Sequence, residues 1–128
     1  MSEENLEIVR RGIEAWNARD VEAFVDLVGP DTEVVPVIAA PVHGLDAIRG
    51  WLRENFEMMD EFHADAGELR DLGDDVLVLG TVHARGQASG VEVDSPFGVV
   101  ASFRAGRMAR LEVFVDHGKA LEAAGVAE

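Results

Sequence analysis

RLEVFVDHGKALEAAG, residues 110–125, passes from an alternating pattern directly into a helical one, with a single acid at the joint. In the first half Leu111, Val113 and Val115 fall on one face of a strand, and Arg110, Glu112, Phe114 and Asp116 on the other. In the second half a short helix ends at Gly125. A strand closed by a helix at the end of the chain implies a sheet that the last helix packs against. Asp116 then has two readings. As a cap it accepts a hydrogen bond from the backbone N–H of Gly118 or Lys119, worth about 1 kcal/mol. Lys119 stands where a capping box would want Glu or Gln, which weakens that reading slightly. If instead its face is concave, desolvation over the floor of a pocket raises its pKa and makes it a general base, with Phe114 as an apolar wall.

Working back from this stretch, runs rich in valine and leucine at 63–71, 75–85, 90–103 and 107–115 read as strands. The breaks at Gly73-Asp74, Gly86 to Gly90 and Ala105-Gly106 are short enough for hairpins, so an antiparallel meander is expected. Ser95-Pro96 predicts a bulge or bend in the third run, because proline cannot donate to the ladder. The first half of the chain has the helical period. Leu6, Val9, Ile13 and Trp16 share one face over 3–18; Val21, Phe24, Val25 and Val28 form a second stripe, capped by Asp20 and ended by Gly29-Pro30. A short strand is predicted at 33–38, with Pro36 marking an edge, and a third helix carries Leu45, Ile48, Leu52, Phe56 and Met59. The expected fold is α+β: three N-terminal helices on a strongly curved antiparallel sheet, forming a cone with an internal pocket, and a short C-terminal helix.

Composition narrows the function. The 128 residues suit one domain, 1–128, with no linker. There is no cysteine, which removes disulfides and thiolate chemistry. Eleven basic against 25 acidic residues give a net charge of −14, which repels a phosphate backbone and argues against nucleic acid and anionic membranes as partners. The acidic start MSEENLEIVRR is unlike a signal peptide and no apolar run approaches the roughly 20 residues of a membrane span, so a cytoplasmic protein is expected. His43, His63, His83 and His117 lack metal-ligand spacing, and RGQASG is a hairpin turn without the lysine of a phosphate loop, so no metal and no cofactor are assigned.

The segments IVRRGIEAWNARDVEAFVDLVGPDTEVVP, GLDAIRGWL, SGVEVDSPF and RLEVFVDHGKALEAAG resemble the SnoaL-like domain of the nuclear-transport-factor-2-like superfamily, in order over nearly the whole chain. That superfamily includes polyketide cyclases, ketosteroid isomerases, dehydratases and epoxide hydrolases, together with proteins of no demonstrated chemistry, so the resemblance implies a fold before an activity. It also implies a location: in the cyclases and limonene-type epoxide hydrolases an aspartate ending the last strand moves protons, and Asp116 matches that position. The Arg-x-Asp pair of the epoxide hydrolases is represented only by His83-Ala84-Arg85, without the acid, and the chain has no tyrosine to serve as the isomerases' oxyanion donor.

Together these readings nominate Asp116 and His83 as catalytic residues, and Trp16, Trp51, Phe114, Arg85 and Asn17 as ligand-binding ones. His83 titrates near neutrality and Arg85 can hold a substrate oxygen; each can equally be a solvated side chain at a sheet edge. Trp16 and Trp51 lie on apolar helical faces as core, or as flat walls for a ring. Glu33, near the implied rim, is left out of the site. The expected function is cofactor-free proton transfer, isomerisation or cyclisation, on a small hydrophobic carbonyl compound; the alternative is a non-catalytic ligand-binding or dimerisation module. A homodimer is expected because both faces of the strand around Phe97 to Phe103 are largely nonpolar.

Overall fold

The structure, a computed structural model, describes residues 2–37, 39–87 and 89–126. In chain order its elements are α1 (Ser2–Asn17), α2 (Val21–Val25), β1 (Val28–Val35), β2 (Val42–His43), α3 (Leu45–Met58), β3 (Met59–Asp71), β4 (Asp75–Gly86), β5 (Glu92–Arg104), β6 (Arg107–Phe114) and α4 (His117–Ala124). The strands form one six-stranded sheet in the order β2-β1-β6-β5-β4-β3. The α+β reading with N-terminal helices and a short last helix holds, but the sheet is mixed rather than wholly antiparallel: β1 runs parallel to β6, with Val34 opposite Leu111. Nor is it strongly curled.

The two faces of the sheet follow from strand alternation. On β4, Val76 and Val78 join Val9, Phe24, Val25, Ile48 and Leu52 of the three N-terminal helices in the larger core. Leu77 and Leu79, one residue out of phase, join Val100 and α4's Ala120 and Leu121 in a second cluster. Thus α1 to α3 cover one face and α4 the other. The same alternation accounts for the nonpolar faces of β5 within the chain: Val100 lies under α4, and Val99 and Ala101 face the N-terminal helices. Gly98 brings α4 close, since a methyl group there would lie 2.5 Å from the Ala120 side chain.

Several boundaries differ from the sequence reading. α2 is only five residues long, and β1 begins at Val28, ahead of Gly29-Pro30, rather than at 33. Residue 38, the end of the expected strand, lies outside the described residues. The β1–β6 register shifts between Val28 and Glu33, so the missing N–H of Pro30 falls where pairing is already irregular. Buried Thr32 secures the region: its hydroxyl donates to Met108 O at 2.7 Å and accepts from Gly29 N at 2.8 Å. Of the bulge or bend expected at Ser95-Pro96, the bulge is not formed: β5 stays in register with β4 through Thr81 opposite Pro96. β6 begins pairing with β5 only at Gly98, so proline's lost donor has no partner strand to miss. The shift in the β5–β6 ladder falls instead between Ser102 and Phe103.

Strand β3 is an edge strand, and α1 covers its open side with polar side chains. Asn17 Nδ2 donates to Ala64 O at 2.9 Å, while Asn17 Oδ1 accepts from Ala64 N at 2.7 Å. Trp16 Nε1 donates to Phe62 O at 3.0 Å. Just beyond, Arg19 adopts a positive φ of 56°, and the bonds Arg19 N to Trp16 O and Asp20 N to Ala15 O close α1 in a Schellman pattern. Its guanidinium then donates to the carbonyls of Phe56, Met59 and Asp60 at 2.6–2.8 Å, tying the α1 turn to the α3–β3 junction.

Candidate functional site

A cavity of about 450 Å³ lies between the N-terminal helices and the sheet, within the usual range for small-molecule sites. Trp16 of α1 and Trp51 of α3 wall it from the helices, and Phe62, Val82, Phe97 and Val113 wall it from the strands. The aromatic wall is braced: the Trp16 ring lies 5.8 Å from Trp51, 5.0 Å from Phe56 and 4.9 Å from Phe62 between centroids. Edge-to-face contacts of this kind hold rings in fixed orientations. Three large apolar side chains on the lining, Val37, Met58 and Val115, are also 42%, 60% and 53% exposed, and therefore mark the mouth.

The lining holds little polarity. Besides the indoles it has Glu54, Asn55 and Ser95, and Glu54 is the one ionisable residue among those described. Most donors there are already engaged: Trp16 Nε1 on Phe62 O, Asn55 Nδ2 on Trp51 O at 2.7 Å, and Ser95 Oγ on Pro96 O at 3.0 Å. The arrangement can hold an apolar body. Among the described residues it brings together no pair of titratable side chains that could exchange a proton across a guest.

Of the nominated residues, Trp16, Trp51 and Phe114 line the cavity; Asp116, His83, Arg85 and Asn17 do not. Asp116 is exposed and caps α4, its carboxylate accepting from Lys119 N at 3.1 Å. The reason is the sidedness of β6. Leu111, Val113 and Val115 line the cavity, so the Arg110, Glu112 and Asp116 set faces away. Phe114, on that outer set, also packs against the cluster under α4. Asn17 has its amide on the Ala64 backbone. Arg85 lies 3.6 Å from Glu61 and 3.9 Å from Asp60, as an ion-paired side chain.

His83 continues the Leu77, Leu79 and Thr81 set of β4, the face that α4 covers further along. Its Nδ1 is 2.7 Å from Asp94 Oδ1 and its Nε2 3.9 Å from Asp65 Oδ2, with the His63 ring stacked at 6.4 Å. The hydrogen bond to Asp94 raises its pKa above the ordinary histidine value, aided by the nearby acids and opposed by partial desolvation. A raised folded-state value means that the stabilising contribution is complete below the unfolded pKa of about 6.5 and is lost as pH rises through the folded one. NMR titration should place the His83 midpoint above that of a free histidine, and Asp94→Asn should bring it back toward that value. A midpoint that Asp94→Asn leaves unmoved would show that the contact is not formed in solution.

Two structural contributors were not foreseen. Glu54 was, however, accessible in principle, because 51, 54, 55 and 58 share one face of α3 and Trp51 was already nominated. His117 Nε2 lies 2.9 Å from Gly80 O, linking the start of α4 to β4. No group of His, Asp and Glu among the described residues is arranged to hold a metal ion, and no described helix is long and apolar enough to cross a membrane.

The arrangement of helices over a mixed sheet is a nuclear-transport-factor-2-like fold. Residues 9–111 match the SnoaL-like domain, and the chain belongs to that family. No curated protein matches it. Among solved structures it is similar to a candidate SnoaL-like polyketide cyclase from Jannaschia sp. CCS1, with 17% identity, 99% of this chain and 95% of that one covered, and a TM-score of 0.82. A hypothetical protein with a ketosteroid isomerase-like fold from Catenulispora acidiphila DSM 44928, in complex with trimethylamine, matches at 20% identity over 94% of both chains with a TM-score of 0.80. TerC, co-crystallised with polyporic acid, matches at 22% identity over 95% of this chain and 98% of that one, also with a TM-score of 0.80. At these identities the likeness establishes the fold alone.

Proposed function

We propose that this protein binds a small hydrophobic molecule in the cavity between its helices and its sheet. The observation that carries this reading is an aromatic-walled space of about 450 Å³ whose mouth exposes Val37, Met58 and Val115. Apolar surface is left there without a covering side chain, and burying it against a guest gives about 25 cal/mol for each Å² removed from water. Two structural neighbours that hold small organic molecules, trimethylamine and polyporic acid, support a fold that accepts such guests.

Binding is favoured over proton-transfer catalysis in this reading. Isomerisation or cyclisation of a carbonyl compound needs a base at the reacting C–H and a proton donor at the carbonyl oxygen, and the described lining offers one carboxylate, Glu54, with no titratable partner. Asp116, the residue the family resemblance offers for that work, is engaged with the amide of Lys119 on the far side of β6. An environment-sensitive naphthalene dye tests the binding reading. Saturable enhancement of its emission, at one dye per chain, is expected. Emission that never saturates, or no enhancement at all, contradicts it.

A further inference from the structure

We propose that the cavity selects hydrophobic amines over hydrophobic carboxylic acids, with the ammonium held at the mouth by Glu54 and the apolar body inside. The inference deepens the binding reading and rests on it. It comes from the charge pattern of the lining. Glu54 is the one ionisable side chain there among the described residues, and no Lys, Arg or His reaches the cavity. Its place on α3, between Trp51 one turn before and Met58 one turn after, sets the carboxylate at the rim where the exposed Met58 also stands. No hydrogen bond or ion pair engages Glu54, in contrast to Glu22, Glu61 and Glu112, each of which holds an arginine.

Three further features favour a cation. Asn55 spends one Nδ2 hydrogen on Trp51 O and Ser95 donates its hydroxyl to Pro96 O, so the two side chains keep one N–H donor against the acceptors Asn55 Oδ1 and Ser95 Oγ. The walls are aromatic, with Trp16, Trp51, Phe62 and Phe97, whose ring faces attract an ammonium or the polarised C–H groups beside it. The chain as a whole carries −14, so the long-range field draws cations and repels anions. Against this, the Trp51 indole N–H has no partner and is the lining's remaining ring donor; it can serve a neutral oxygen but cannot offset a carboxylate's charge.

Calorimetric titration with three ligands of one skeleton, 1-naphthylmethylamine, 1-naphthylmethanol and 1-naphthoate, tests the proposal. The amine should bind about three- to fivefold more tightly than the alcohol, the size expected of a pairing at an exposed rim. The carboxylate should bind about tenfold or more weakly than the amine, and both differences should shrink at high salt. Glu54→Gln should bring the amine to the alcohol's affinity without changing the latter. Glu57→Gln, an exposed acid of the same helix outside the lining, should leave the preference intact and so separates the local carboxylate from the overall charge. A carboxylate that binds as tightly as the amine, or an amine preference that survives Glu54→Gln, overturns the selectivity. If the alcohol itself does not bind, the cavity reading fails, and the selectivity with it.

Discussion

Gly80→Ala is expected to destabilise the protein by about 3 kcal/mol, at the upper end of the cost of overpacking, and to lower Tm by roughly 10 °C. A methyl group at Gly80 would lie 2.3 Å from Asp65 O, 2.8 Å from the Phe97 ring and 3.1 Å from Ala66 Cα. The nearest of these is backbone, so no change of rotamer relieves the clash. The crowding has a cause in the register: the β3–β4 ladder shifts between Ala66 and Glu68, where Gly67 is the extra residue and β3 presses onto β4. Gly80 also presents the carbonyl that His117 contacts, so a displaced β4 loosens α4 as well. Gly50→Ala provides the contrast, because a methyl group inside α3 meets nothing within 4 Å there. That change should stabilise by about 0.5–1 kcal/mol through helix propensity. Thermal unfolding of the two variants checks both signs, and a wild-type Tm for Gly80→Ala would contradict the close approach of β3 to β4.

Val82→Trp is expected to weaken binding of a naphthalene-sized guest about 100-fold, about 2.7 kcal/mol, while leaving Tm close to that of the wild type. Val82 points into the cavity from β4, and its cross-strand neighbours, Ala64 and Ser95, are small. An indole at this position therefore has space to enter without displacing packed atoms, so the usual penalty for enlarging a core residue does not arise. It removes the volume the guest needs. Fluorescence titration reads the affinity, and thermal unfolding reads the stability. Undiminished affinity would place the guest elsewhere, and a collapse in Tm would show that the space is filled in solution.

How far the sequence could be read depended on whether local pattern was enough. The stripe of Leu6, Val9, Ile13 and Trp16 specifies α1 within one residue, because a helix needs only its own period. β4 to β6 were legible for a similar reason, and β3 from residue 63 on, although it starts at Met59, which the helical spacing assigns to α3: each pairs with a neighbour across a short turn, and Ala105-Gly106 has positive φ at both positions, as a tight hairpin requires. β1 was misplaced because Gly29-Pro30 carries the local signature of a helix stop. What makes it strand is pairing with β6, some 80 residues away, for which no short-range signal exists. The two-residue β2, which pairs with β1 through Glu33 opposite His43, is too short to show an alternating pattern.

The site divided along a similar line. Trp16 and Trp51 were nominated from helical faces, and they wall the cavity. For β6, alternation separated Asp116 from Val113 and Val115 correctly but could not say which set faces the helices. Both sides of that strand carry apolar residues, since α4 returns to cover the outer one. The cap and the pocket base were alternatives distinguished only by that sidedness, and the exposed carboxylate on Lys119 N takes the former role in the structure. Arg19 was beyond reach, because the three carbonyls it gathers come from a junction about 40 residues away.

The claim that a guest occupies the space under the helices is tested most directly by methyl NMR during titration with 1-naphthylmethanol. Saturable shifts are expected at Ile13, Val82, Val99 and Val113, with Leu77, Val100 and Leu121 beneath α4 unmoved. Shifts confined to the α4 side, or none that saturate, would contradict it.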